Sequence, residues 1–129
     1  FEGIGFAHKN DVFHALRGPH AVDPSVVRFT GGASRSRIWP QMFADILNLP
    51  VEVPNGAEFG SLGAAVCAAA AVGGHGSLKD SMAAMTGIAR RYEVNSDQAR
   101  HFAEKHTRYR TIADTLAQAW QANPATPNA

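Results

Sequence analysis

The sequence predicts an α/β fold, rich in helix around a short parallel sheet. Three observations carry that expectation. Short β-branched runs alternate with stretches of helical periodicity, one helix-length stretch is built almost wholly from small apolar residues, and the last third carries a long apolar stripe at helical spacing. Strands separated by helices pair in parallel, because the crossover returns the chain to the same end of the sheet.

Taken in order, residues 1–17 place Phe6, Phe13 and Leu16, with Val12 beside them, at approximately helical spacing. Gly18-Pro19 stops that helix, and a loop runs through Asp23-Pro24. Val26-Val27-Arg28-Phe29-Thr30 is a strand that ends at Gly31-Gly32. The next helix carries Ile38, Trp39, Met42, Phe43, Ile46 and Leu47 on one face. Ser34 or Ser36 can cap its start, and Pro40 must then fall within its first turn. Asn48 and Leu49-Pro50 end it, Val51-Glu52-Val53 forms a second strand, and Pro54-Asn55-Gly56 is turn chemistry. From Phe59 to Val72 nearly every residue is small and apolar, so that helix is expected to be buried on most sides and closely approached by other backbones. A short helix over Leu78–Met85, an extended stretch at Arg90–Val94 and a long helix capped by Asn95 or Ser96 complete the chain. The long helix lines up Ala99, Phe102, His106, Tyr109, Ile112, Ala113, Leu116 and Trp120 as a packing stripe. Residues 122–129, with Pro124 and Pro127, are expected to be disordered. Two strands make a poor sheet, so one sheet edge is expected to belong to residues outside this chain.

Bulk properties narrow the function. The chain has 129 residues and a formal net charge of +1. Neither nucleic acid nor an anionic membrane is favoured by so balanced a charge. The longest apolar run, Leu62–Val72, is shorter than the roughly 20 residues of a membrane helix. A single cysteine, Cys67, makes an intramolecular disulfide impossible and suits a reducing, cytoplasmic setting; within an apolar helix it reads as a small hydrophobe. The opening Phe1-Glu2-Gly3-Ile4, with neither an initiator methionine nor a basic leader, leads us to expect a fragment. The six histidines are scattered, and His101 with His106 is poorly spaced for one helix face, so they are read as surface or partly buried side chains rather than metal ligands.

The segment that carries chemistry is Phe29-Thr30-Gly31-Gly32-Ala33-Ser34-Arg35-Ser36. A strand delivers two glycines in front of a helix. Glycine allows unusual dihedrals and lets a ligand touch bare main chain, and helix N–H groups suit a phosphate. The same pattern also serves as plain turn geometry. A P-loop is ruled out because no Gly-Lys-Ser/Thr follows, and a Rossmann fingerprint lacks its third glycine. Arg35 and Arg37 beside the turn, and Arg90-Arg91, are either solvated or phosphate contacts.

Three pieces in sequence order resemble the C-terminal domain of the FGGY carbohydrate kinases, which include xylulokinase, ribulokinase and glycerol kinase. They are Thr30-Gly31-Gly32-Ala33 with Ser36 and Trp39, then Gln41 through Val51, then Glu58-Phe59-Gly60-Ser61-Leu62-Gly63-Ala64-Ala65. Glu2-Gly3-Ile4 and Arg91-Tyr92-Glu93 match more loosely. The resemblance implies an actin-like, RNase H-like ATPase domain, with residues 1–121 as the C-terminal portion of the nucleotide-binding lobe. It implies ATP with Mg2+ as cofactors. Gly31 and Gly32 would pass close to the α-phosphate and ribose, Ala33 would lie in the same motif, and Ser36 would lie beside the adenine. The implied activity is phosphorylation of a ketopentose, xylulose- or L-xylulose-type, or a related sugar or polyol. The sugar site and catalytic base would belong to an N-terminal lobe absent here, and no aspartate in this chain matches that base. The chain alone is therefore expected to be inactive and, with partner surface exposed, to self-associate or form a homodimer. A non-enzymatic actin-like nucleotide-binding or assembly module is the alternative, and a nucleotide-dependent oxidoreductase fragment is disfavoured by the missing glycine.

Overall fold

A computed structural model describes residues 1–17, 22–56 and 58–122, with the Phe13 side chain outside the description. The stop at Gly18-Pro19 and the tail beyond Ala122 also lie outside the described residues. The elements run α1 (Glu2–Ala15), β1 (Val27–Arg28), a 3-10 turn (Gly32–Arg35), α2 (Ile38–Leu47), β2 (Val51–Pro54), α3 (Phe59–Ala71), α4 (Leu78–Met85), β3 (Ile88–Tyr92) and α5 (Ser96–Ala122).

The hub is α2. Its Phe43, Ala44 and Ile46 are buried, and Pro40 sits in its first turn, where a missing N–H costs no helical bond. Asn48 closes the helix in the left-handed conformation, φ 57°. Helices α1 and α5 both pack on α2, joining Phe6, Ile46 and Phe102, with Met42 and Tyr109 against them. The approach of α1 is close: a Cβ at Gly5 would lie 2.6 Å from Ile46 Cδ1. On the other flank, Phe43, Ala44 and Val51 form a second cluster with Val27, Phe29, Trp39 and Tyr92. Ile38, expected on the inner face, is instead 76% exposed at the first position of the helix.

The sheet order is β1-β2-β3. The two expected strands do pair in parallel, Val27 opposite Val51. The third, the Arg90–Val94 stretch read only as extended, joins β2 antiparallel, so the sheet is mixed. Central β2 buries Val51 and Val53 on one face and turns Glu52 outward. There Glu52 meets Arg91 of β3 at 2.7 Å and Arg28 of β1 at 3.7 Å, an opposite-charge row across all three strands.

Helix α3 departs from expectation. Of its residues only Val66 is buried, and Cys67 is exposed rather than packed inside. Small side chains permit close packing but do not supply the neighbour: α4 covers one side of α3, and the Gly63, Ala64 and Ala65 side faces outward. The stripe of α5 also divides. Phe102 and His106 are buried and Tyr109 is half-buried, while Ile112, Leu116 and Trp120 are 61%, 55% and 76% exposed, because α5 runs on past the end of α2. Asn95 caps α5, its Oδ1 accepting from the Asp97 and Gln98 amides at 3.1 Å each.

Candidate functional site

The glycine bend is built from its backbone outward. Gly31 holds φ 81°, ψ −169°, a region open in practice to glycine alone. Its carbonyl accepts both the Ser34 amide at 3.1 Å and the Ser34 hydroxyl at 2.7 Å, and that serine is 4% exposed. Ser34 therefore fastens the bend, and Ser36 caps α2: the Ser36 hydroxyl accepts from the Ile38 amide at 3.1 Å and the Trp39 amide at 3.3 Å. The glycines thus lead into a 3-10 turn rather than directly into α2, and only after Ser36 does α2 begin.

Gly31 and Gly32 lie on the surface, Ala33 and Ser36 are half-buried, and a Cβ placed on either glycine would meet nothing within 4 Å. The bend therefore offers bare main chain to open space, which fits a ligand resting on the backbone. It stands apart from an apolar groove of about 280 Å3, which lies among α3, α4 and the sheet and is lined by Phe59, Leu62, Val66, Leu78, Met82 and Ile88, with Arg28 its one charged wall. Few polar groups converge there, so that groove does not suit a nucleotide.

Arg90, singled out in the sequence only as one of several cations, turns out to lock the bend. Its guanidinium donates to the carbonyl oxygens of Ser34 and, at 3.4 Å, Ser36, and to the Tyr92 hydroxyl at 3.0 Å. The strand period shows only that Arg90 and Tyr92, two residues apart, share one face of β3; the reach to Ser34 and Ser36 carries no local signal. Arg35 reaches Glu58 at 3.8 Å, linking the glycine motif to the start of α3, but both side chains are exposed and the pair is weak. Asp45, buried at 4%, is a second residue missed in the sequence: its Oδ1 accepts from Gln41 Nε2 at 2.9 Å and the Asn95 amide at 2.8 Å, fixing α5 against α2. Arg37 has no polar side-chain partner among the described residues.

Comparison with solved structures defines the class. A ligand-bound xylulose kinase from Lactobacillus acidophilus superposes with a TM-score of 0.83 over 94% of this chain and 24% of that one, at 23% identity. A xylulose kinase from Rhodospirillum rubrum gives a TM-score of 0.75 over 93% of this chain and 24% of that chain, at 22% identity. The fold is that of the actin-like ATPases, to which these sugar kinases belong. Residues 1–72 match the model of the FGGY family of carbohydrate kinases, C-terminal domain, and the chain belongs to that family. Among curated relatives, a probable L-xylulose kinase of Haemophilus influenzae is 42% identical over 69 residues, covering 53% of this chain and 14% of the relative. A glycerol kinase of Solidesulfovibrio magneticus is 34% identical over 107 residues, covering 83% and 21%. The chain thus spans about a fifth or less of the length of these relatives.

Proposed function

We propose that this chain is the adenosine-side portion of an ATP-dependent carbohydrate kinase, with Gly31, Gly32, Ala33 and Ser36 as the nucleotide-facing segment. The observation that carries this reading is the open bend: two glycines with open space where a Cβ would stand, in a turn held by Ser34 and Arg90, inside the stretch that matches the family. A stiff main-chain ledge positions phosphate and ribose with little to reorganise on binding. Among the described residues no group of three or more His, Cys, Asp or Glu side chains gathers. In this reading the Mg2+ arrives on the ATP phosphates, since Mg2+ keeps several waters and binds largely through substrate phosphates.

The relatives' names favour a sugar or polyol substrate, and the 42% identity to a probable L-xylulose kinase favours a ketopentose. Sugar contacts and the catalytic base are assigned to the rest of a longer polypeptide, so this chain by itself turns nothing over. The outward face of α3 and the exposed α5 residues support self-association, a homodimer included, when that polypeptide is absent. Among the described residues no helix is long and apolar enough to cross a membrane, which suits the cytoplasmic setting proposed here. The test is an amide NMR titration of this chain with MgATP, beside a substrate panel on the full-length kinase. Shifts centred on Gly31–Ser36 and phosphorylation of ketopentoses are expected. Shifts centred elsewhere, or a full-length protein inert toward every sugar and polyol, would overturn the assignment.

A further inference from the structure

A second site emerges where α1 faces α5. A polar cleft of about 160 Å3 is lined by Asn10, His14, Arg17, Arg110, Ala113 and Asp114. The three α1-side residues follow at intervals of four and three, which places them along one side of the chain as it leaves the helix. His106, Arg110 and Asp114 follow one another at intervals of four on α5, again along one side. His106, only 8% exposed, stands one turn before Arg110 on α5 and just outside the cleft lining, its Nε2 2.9 Å from the Oδ1 of Asn10, which does line the cleft.

Among the described residues neither His14, Arg17 nor Arg110 forms an ion pair, although Asp114 lines the same cleft. Complementing the carboxyl end of α1 accounts for basic groups at His14 and Arg17. It does not account for Arg110, which comes from the middle of a different helix and lines the same cavity. We propose that this cleft binds a small phosphate-type oxyanion, with the Arg17 and Arg110 guanidinium groups as its principal donors and His14 and Asn10 beside them. Planar guanidinium groups match tetrahedral oxyanions with paired N–H donors. The volume admits a phosphate group and excludes a whole nucleotide, whose pockets start at about 300 Å3. The carboxylate of Asp114 opposes the anion, but it stands against two guanidinium groups. The neighbouring His106 imidazole is held below its usual pKa first by burial and then by the Lys9 and Arg110 charges, which places the Arg110 cation within electrostatic reach of it.

The test is an amide NMR titration of this chain with inorganic phosphate, with ribose 5-phosphate, and with chloride at matched ionic strength. Saturable shifts at residues 10–17 and 106–114 are expected, read separately from any at the Gly31–Ser36 amides. Arg110→Gln and Arg17→Gln should each weaken binding by about ten-fold, and Arg110→Lys by less. These side chains are on the surface, so melting without phosphate should stay at the parent value and show the variants folded. Binding of inorganic phosphate, of the ester, or of both supports the proposal and tells a free-anion site from a phosphoester site. Shifts that chloride reproduces, that never saturate, or that survive both Gln variants overturn it. Failure here leaves the glycine-bend reading untouched, because the two sites are read from different amides.

Discussion

Gly31 and Gly32 are neighbours with the same surroundings and opposite expected responses to a methyl group. Neither added Cβ meets an atom within 4 Å, so packing is removed from the comparison. What differs is the backbone: Gly31 alone of the two has positive φ, at 81° with ψ −169°. Forcing alanine into that region costs about 1–3 kcal/mol, and the stiffer unfolded chain adds to the folded state only about 0.4–1 kcal/mol in return. Gly31→Ala should therefore lose about 1–2 kcal/mol, which moves a urea midpoint down by about 1 M at a typical slope. Gly32→Ala should leave the midpoint in place or raise it slightly, since its backbone suits alanine. The same Gly32 methyl should nevertheless weaken MgATP binding, because it stands where the nucleotide would meet main chain. Urea unfolding followed by circular dichroism, and calorimetric titration with MgATP, read the two effects separately. Equal midpoints for both variants would refute the strain reasoning. Unchanged MgATP affinity in Gly32→Ala would refute the ledge.

Other outcomes follow from single contacts. Arg90→Gln removes a charged donor from the Ser34 and Ser36 carbonyls and should cost about 1.5–3 kcal/mol, read by urea unfolding, with amide exchange rising first at the bend rather than in α5. Lost protection in α5 with an undisturbed bend would contradict the latch assigned to Arg90. Because the pKa of His106 is lowered in the folded chain, the unfolded chain takes up its proton first. The stability that His106 contributes is thus complete above the unfolded value of about 6.5 and is lost as pH falls through the lower folded value. His106→Gln should flatten that part of the stability–pH curve measured by thermal melting, and an unchanged slope would show that another group titrates there.

Much of the fold is legible in the sequence where one element decides its own form. The glycine bend after β1, the α2 stripe from Trp39 to its end at Asn48, the second strand at Val51–Val53 and the Asn95 cap are local patterns, and each stands where its residues place it, with Ile38 and the intervening 3-10 turn the exceptions. Legibility fails where a second element decides. Helix α3 has the composition of a buried helix, yet burial depends on a neighbour, and among the described residues α4 is its principal one. Ile112, Leu116 and Trp120 continue a real periodicity beyond the end of the helices they would pack on. At the site, Gly31 and Gly32 could be named because glycine announces itself. Arg90 and Asp45 could not be placed, since their bonds reach across separations of 54 and 50 residues that no local window connects.

The latch on the bend comes from β3, which lies beyond the 1–72 stretch that matches the family. A cut after residue 72 would keep the three principal motifs and still strip β2 of its antiparallel neighbour and release the carbonyls that Arg90 holds. The stretch a pattern search marks out is in this sense smaller than the unit that folds, and trimming the molecule to it would leave the signature intact on a backbone free to wander.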